Sequence, residues 1–230
     1  MSSAGKELDT QQNTQWVTLL LLMLTIATLF IVPLSAEPWL SRLYAILFSA
    51  IFMTAAFTLR GSASLLFRLS PLIVVVTTIG SFLSEGYYKS FGRILQFVFF
   101  IMLVVLLIRQ IAVSPVVSGR VIMEAITAYL LLGLAFGLIV LMTDILLPDA
   151  YSVSMAMETS HGQKPDFRTA IYYTFITYTT TGYGDIIPRQ PATKSLAVLI
   201  SICGQLYVAI ILALLVGKFA SGSHSSPQKP

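Results

Sequence analysis

The chain has 230 residues, of which 56% are hydrophobic and only 10% are charged. Soluble domains carry about 25% charged residues, so the composition excludes an ordinary soluble protein, and the long apolar blocks predict a helical integral membrane protein. The formal net charge of +4 comes from 14 Lys and Arg residues that are scattered singly. Without a basic cluster, this charge predicts no nucleic-acid partner.

Four apolar blocks are predicted in the first half of the chain, after a polar cytoplasmic tail over residues 1–15. The first block has Leu34 where a cleavage site needs a small residue, so a membrane helix is favoured over a signal peptide. The third block is short, and a shallow re-entrant hairpin with the fourth is the alternative to two spans. The blocks are residues 16–34, 43–59, 71–83 and 94–108, and together they make a four-helix membrane module over residues 16–110.

The four-helix module lacks the charge pattern of a voltage sensor. A sensor helix needs several arginines on one face, since each charge contributes about 2.3 kcal/mol per 100 mV. The fourth block has only Arg93 and Arg109 at its ends, and at about 100° per residue these two face opposite sides. We therefore expect this module to be a passive or lipid-responsive scaffold. It should move little charge across the membrane, so any activity of the protein should depend only weakly on voltage.

The second half of the chain begins with an interfacial elbow over residues 109–120, where Pro115 and Gly119 are helix breakers. The fifth block contains Gly133 and Gly137, a spacing typical of close helix packing. A later apolar segment of about 13 residues is too short to span a membrane. In chain order the remaining predicted elements are the fifth block 121–147, a polar loop 148–166, the short helix 167–179, a return segment 186–193, the sixth block 194–219 and a cytoplasmic tail 220–230.

The most specific signal in the chain is the stretch from Thr177 to Asp185, which reads Thr-Tyr-Thr-Thr-Thr-Gly-Tyr-Gly-Asp. Rings of backbone carbonyl oxygens can replace the hydration shell of a K⁺ ion. Successive carbonyls point the same way only if some residues take φ > 0, which Gly182 and Gly184 do at little cost. The alternative interpretation is a Gly-rich turn between two helices. The motif resembles the selectivity filter of the potassium channel superfamily, and the order of short helix, Gly-rich stretch and long helix resembles its pore unit.

The resemblance implies an all-α integral membrane fold with six transmembrane helices and a re-entrant pore helix, the pore domain covering residues 111–219. Because the chain holds one such motif, four copies are expected to surround the axis as a homotetramer. Gly184 ends the filter, and Tyr183 is expected to point away from the axis and pack against the pore helix. The expected K⁺ ligands are the Thr180 hydroxyl and the carbonyls of Thr180, Thr181, Gly182 and Tyr183.

Other residues are expected to support the filter. Family members often bind the carboxylate at the Asp185 position with an aromatic donor from the pore helix, for which we expect Tyr173. Some add an acid, but Ile176 stands at that position and its side chain cannot hydrogen-bond, so the strength of this brace is open. Alternatively, Asp185 is a solvated carboxylate that concentrates cations. Thr177 and Thr179 complete the predicted support.

Two further features come from the same resemblance. Thr181 departs from the Val or Ile common in the family, and its hydroxyl needs a partner. Gly204 lies 19 residues after Asp185, as does the hinge glycine of many inner helices. A glycine within a helix costs about 1 kcal/mol relative to alanine, and both a gating hinge and close helix packing would explain it. Farther along, Tyr207, Ile211, Leu214 and Leu215 are candidates for a hydrophobic constriction.

The predicted function is passive, K⁺-selective conduction across the cell membrane, with both termini cytoplasmic. The orientation rests on the resemblance, because Lys and Arg divide seven to seven between the two sides. The alternatives are a weakly selective cation channel, the pore subunit of a K⁺ transporter, and a silent subunit that modifies a partner. Besides other copies, the expected partners are membrane lipids and K⁺, with no cofactor.

Enzymatic activity is not expected. The single cysteine, Cys203, excludes an intrachain disulfide framework and offers no metal-ligand spacing. Both histidines, His161 and His224, lie in polar segments, so no Ser–His or Cys–His pair is expected inside the membrane.

Overall fold

The computed structural model describes residues 15–34, 40–58, 87–114, 117–147, 149–153 and 167–223. The chain divides into two compact units, Met1–Leu130 and Leu131–Pro230. The described helices are α1 Gln15–Ile31, α2 Leu40–Thr58, α3 Tyr87–Val113, α4 Gly119–Leu146, α5 Phe167–Tyr178 and α6 Pro191–Ser223. The last turns of the first helix are a π-helical stretch, Ala27–Ile31, followed by a 3-10 turn, Val32–Leu34.

Three of the described helices contain segments long and apolar enough to cross a membrane, namely Ile94–Val113, Gly119–Leu146 and Pro191–Ala220. Gln15–Ile31 and Ile46–Ala55 are shorter apolar helices. The third predicted block, residues 71–83, lies outside the described residues. The helical membrane fold is therefore confirmed, and the number of six spans stays a prediction.

Helices α2 and α3 pack through phenylalanine rings. Phe48 and Phe52 are one turn apart on α2 and meet two adjacent rings on α3. Phe52 lies 4.5 Å from Phe99 and 5.0 Å from Phe100, measured between ring centroids. Phe48 meets Phe100 edge to face at 5.3 Å. Aromatic pairs in these geometries contribute about 0.5–1.5 kcal/mol beyond the area they bury.

A buried carboxylate ties the end of α3 to the start of α4. Glu124 is only 1% exposed, and its Oε1 accepts hydrogen bonds of 2.7 Å from the Gln110 amide and from Nε of Arg120. A charge in an apolar helix needs such donors, because it is otherwise very costly. The predicted elbow is thus short, since α3 continues to Val113 and α4 begins at Gly119.

A small antiparallel ladder in the second unit was not expected from the sequence. Strand β1, Tyr151–Val153, pairs with β2, Ile186–Pro188, in the register Tyr151↔Pro188 and Val153↔Ile186. Each strand has three residues, which is too few for an alternating pattern to be recognised. The Thr193 hydroxyl, at the start of α6, lies within hydrogen-bond distance of two carbonyls, Ala150 at 3.1 Å and Gln190 at 3.0 Å. Its contact with Ala150 joins the ladder to that helix.

Candidate functional site

The backbone of the Gly-rich stretch alternates in conformation. Thr180, Gly182 and Gly184 have φ values of 61°, 55° and 77°. The prediction of positive φ at both glycines is confirmed. The positive φ of Thr180 was not predicted, because a residue with a Cβ is destabilised by roughly 1–2 kcal/mol in the left-handed region. We call residues 180–184 the candidate filter.

The candidate filter begins by capping α5. The last carbonyls of a helix lack partners within the helix. Here the carbonyls of Phe175, Ile176 and Thr177 accept N–H groups from Thr179 at 2.9 Å, Gly182 at 3.0 Å and Thr180 at 3.1 Å, respectively. Ile176 therefore supports the candidate filter through its backbone, although its side chain cannot.

The hydroxyls of Thr179 and Thr181 hydrogen-bond to each other over 2.9 Å. The Thr179 hydroxyl also donates to the Phe175 carbonyl over 2.7 Å. A hydroxyl has one proton, so Thr181 is the donor and Thr179 the acceptor in the bond between them. The hydroxyl of Thr181 thus has the partner that its departure from Val or Ile requires.

Asp185, just after the candidate filter, is held by α5, but not through the residue we expected. The Tyr172 hydroxyl donates to Asp185 Oδ2 over 2.5 Å, and the N–H of Ile186 donates to Oδ1 over 3.1 Å. The expectation that Tyr173 makes this bond is wrong. Consecutive helical residues point about 100° apart, so only one of the two tyrosines can face Asp185. The bond to Asp185 raises the pKa of Tyr172 to about 12.

Tyr173 belongs instead to a contact between α5 and β1. It is 3% exposed, and its ring meets that of Tyr151 edge to face at 5.0 Å. Its hydroxyl is buried and interacts with the Thr177 side chain, but it makes no hydrogen bond of good geometry among the described residues. The Tyr151 hydroxyl is 3.2 Å from that of Thr143 on α4, and burial raises the pKa of Tyr151 to about 12. We call these contacts and the Tyr172–Asp185 bond the hydroxyl bracket.

Glycines bring α4 and α6 against α5. A Cβ added at Gly204 would overlap the Tyr178 carbonyl oxygen, and one at Gly133 would overlap the ring of Phe175. At Gly137 the nearest atom, Cγ1 of Ile171, would be 3.4 Å away. The prediction that Gly133 and Gly137 allow close packing is confirmed.

Gly204 therefore has a packing role in this conformation. Helix α6 runs without a break from Pro191 to Ser223, so the hinge at Gly204 stays a prediction. The Ser201 hydroxyl, one turn earlier, donates to the Thr177 carbonyl over 3.3 Å. Sequence reasoning missed this serine, whose only signal is its position one turn before the glycine.

The candidate filter is exposed in the single chain. Every residue from Thr179 to Gly184 is exposed, and Tyr183 is 71% exposed. The expected packing of Tyr183 against the pore helix is therefore not made with the α5 of its own chain. Among the proposed constriction residues, Tyr207 and Ile211 are buried, whereas Leu214 and Leu215 are half-buried.

Comparison with known families bears on this region. Residues 125–221 match the model of a family described as an ion channel. This segment resembles an ion-channel domain. The match contains the candidate filter, the hydroxyl bracket and the three packing glycines, and it supports passive ion conduction by a membrane protein. The ion-channel family is not enzymatic, which confirms the prediction that the protein is not an enzyme. No curated protein matches the chain.

Proposed function

We propose that the protein is a K⁺-selective channel whose filter is residues 180–184. The observation that carries the proposal is the positive φ at Thr180, Gly182 and Gly184, every second residue. Such alternation points successive carbonyls to one side of the chain, and a column of carbonyls is what replaces the water around a dehydrated K⁺. The proposed ligands are the carbonyls of residues 180–183 and the Thr180 hydroxyl.

Four copies of the chain are needed to complete this site. One strand of carbonyls cannot surround an ion, and a K⁺ filter uses four. The single chain leaves suitable surfaces uncovered, since only 22% of an 18-residue apolar stretch within Pro191–Ala220 is buried, against 67% of such a stretch within Gly119–Leu146. We propose that α6 and the exposed Tyr183 side chain contact neighbouring copies. Both termini then lie in the cytoplasm and the candidate filter faces outward.

Recording from purified protein in liposomes tests the proposal. With K⁺ on one side and Na⁺ on the other, the reversal potential should lie far from zero, with the sign expected for K⁺ selectivity. A reversal near zero would show a weakly selective cation channel, and no current would favour a silent subunit. A dimeric protein mass in detergent would contradict the tetramer.

The variant Gly184→Ala tests whether the positive-φ conformation of the candidate filter is needed for conduction. Within its own chain no atom lies within 4 Å of a Cβ added at Gly184, so there the change acts through backbone conformation alone. A residue with a Cβ resists φ > 0, and conduction should fall below detection. Gly217→Ala, which also has open space around its Cβ, is the control. Normal currents from Gly184→Ala would place the ion pathway elsewhere.

We also propose that the four-helix module over residues 16–110 does not sense voltage. Voltage-sensing families move about 3–4 charges in each of four subunits, and no arginine row is present here. Open probability should change only weakly with voltage. Activation with an effective charge above about 4 per tetramer would refute this.

A further inference from the structure

The hydrogen bond between Thr181 and Thr179 spans the one non-glycine residue of the candidate filter that has positive φ. Its two hydroxyls belong to the residues before and after Thr180, and their oxygens are 2.9 Å apart. In an extended strand, residues two apart are separated by about 7 Å. The short distance therefore requires the backbone to bend at Thr180, where φ is 61°.

The bridge is anchored to α5 at one end. The Thr179 hydroxyl and the Thr179 N–H both donate hydrogen bonds to the Phe175 carbonyl oxygen. Thr179 is thereby fixed to the last turn of α5. Thr181, which donates to Thr179, is fixed in turn, and Thr180 lies between two fixed neighbours.

We propose that the Thr179–Thr181 bridge holds Thr180 in its left-handed conformation and so aims the Thr180 carbonyl and hydroxyl at the ion. The inference rests on the proposed function. Thr181 and Thr179 act through their hydroxyls as positioning residues, in addition to any carbonyl that binds K⁺. The bridge gives a physical role to the hydroxyl by which Thr181 differs from valine.

Two substitutions at residue 181 separate the hydroxyl from side-chain shape. Thr181→Val keeps the branched shape and removes the donor, whereas Thr181→Ser keeps the donor and removes a methyl group. Because the Thr181 side chain is exposed in the chain, neither change opens a cavity inside the chain. Thr179→Val removes the acceptor of the same bond.

The test measures how K⁺ protects the full-length protein against heat in detergent, with Na⁺ replacing K⁺ at constant ionic strength. A ligand that binds only the folded state raises stability with its concentration, so the half-protecting K⁺ concentration reports the site. Thr181→Val should raise this concentration about fivefold, the usual effect of one lost hydrogen bond. Thr181→Ser should raise it less than twofold.

The double variant Thr179→Val with Thr181→Val completes the experiment. Both changes break the same Thr179–Thr181 bond, so the double variant should bind K⁺ no more weakly than Thr179→Val alone. Equal effects of Val and Ser at residue 181, or single effects that multiply in the double variant, would overturn the bridge. Absence of K⁺ protection in the unmodified protein would instead overturn the proposed K⁺ site itself, and the bridge role with it.

Discussion

Helix α5 is held by two kinds of contact that differ in how they respond to change. Toward α4 and α6, it meets glycines that leave no room for a Cβ, at Gly133 and Gly204. Toward Asp185 and β1, it is held by the hydroxyl bracket. In this bracket the Tyr172 hydroxyl donates to Asp185, and the ring of Tyr151, whose hydroxyl bonds to Thr143, packs against Tyr173. The first kind is fixed by backbone positions, and the second by the ends of side chains.

This difference predicts different tolerances. Close-packed interiors resist added atoms, because neighbours must move or clash. A contact with a backbone carbonyl is the least able to move. A hydrogen bond at the end of a long side chain, by contrast, loses about 1 kcal/mol when it is deleted, and the ring that carried it stays in place.

The largest effect is expected at Gly204. Alanine there places a Cβ on the Tyr178 carbonyl, so α6 must move away from α5, at a cost of about 3 kcal/mol. We expect loss of K⁺ flux in liposomes and a clear drop in melting temperature in detergent. Gly217→Ala on the same helix has open space around its Cβ and should behave like the unmodified protein. A functional Gly204→Ala protein would show that the contact is not needed.

A smaller loss of stability is expected at Gly133 than at Gly204. The atom in the way belongs to the ring of Phe175, and a side chain can shift, so Gly133→Ala should cost about 1–2 kcal/mol. Adding Phe175→Leu should recover part of the lost melting temperature. The control is Gly137→Ala, where 3.4 Å to Ile171 is an ordinary contact. Equal losses at both glycines would mean that Phe175 is not the cause.

A third pair of variants compares adjacent tyrosines. Tyr172→Phe removes the donor to Asp185 and should lower the free energy of unfolding by about 1 kcal/mol. Tyr173→Phe removes a buried hydroxyl that makes no hydrogen bond of good geometry, and should be neutral or slightly stabilising. Thermal melts of both variants in parallel measure the difference. The reverse order would restore Tyr173 as the partner of Asp185.

The smallest effect is expected at Tyr151, and it depends on pH. Burial raises the pKa of Tyr151 from 10.0 to about 12, so folding favours the neutral phenol. This contribution is full below pH 10.0 and is lost as pH rises to about 12. Tyr151→Phe should lose under 1 kcal/mol at neutral pH and should show a weaker decline in stability between pH 10 and 12. Identical alkaline melting profiles would contradict this role.

The sequence predicted some of these contacts and not others, for physical reasons. A glycine pair four residues apart predicts close packing but does not identify the helix that packs there. Close packing was thus predicted at Gly133 and Gly137, without α5 as the partner. The choice between Tyr172 and Tyr173 depends on the rotation of a short helix, which a resemblance does not fix. The positive φ of Thr180 was missed because glycine adopts such a conformation readily, whereas threonine rarely does, so its presence does not predict one. The β1–β2 ladder joins residues more than thirty positions apart, and no local pattern reports such a pairing.

The buried Glu124 sets a rule for recombining this protein with others. The stretch similar to ion channels starts at residue 125, immediately after this carboxylate. A chimera joined just before Glu124, with foreign helices in place of α3, would keep this carboxylate and lose its donors Gln110 and Arg120. Either half of the pair alone leaves a polar group buried without its partner, which is costly. The safe exchange boundary therefore falls before α3, so that Gln110, Arg120 and Glu124 are inherited as one piece.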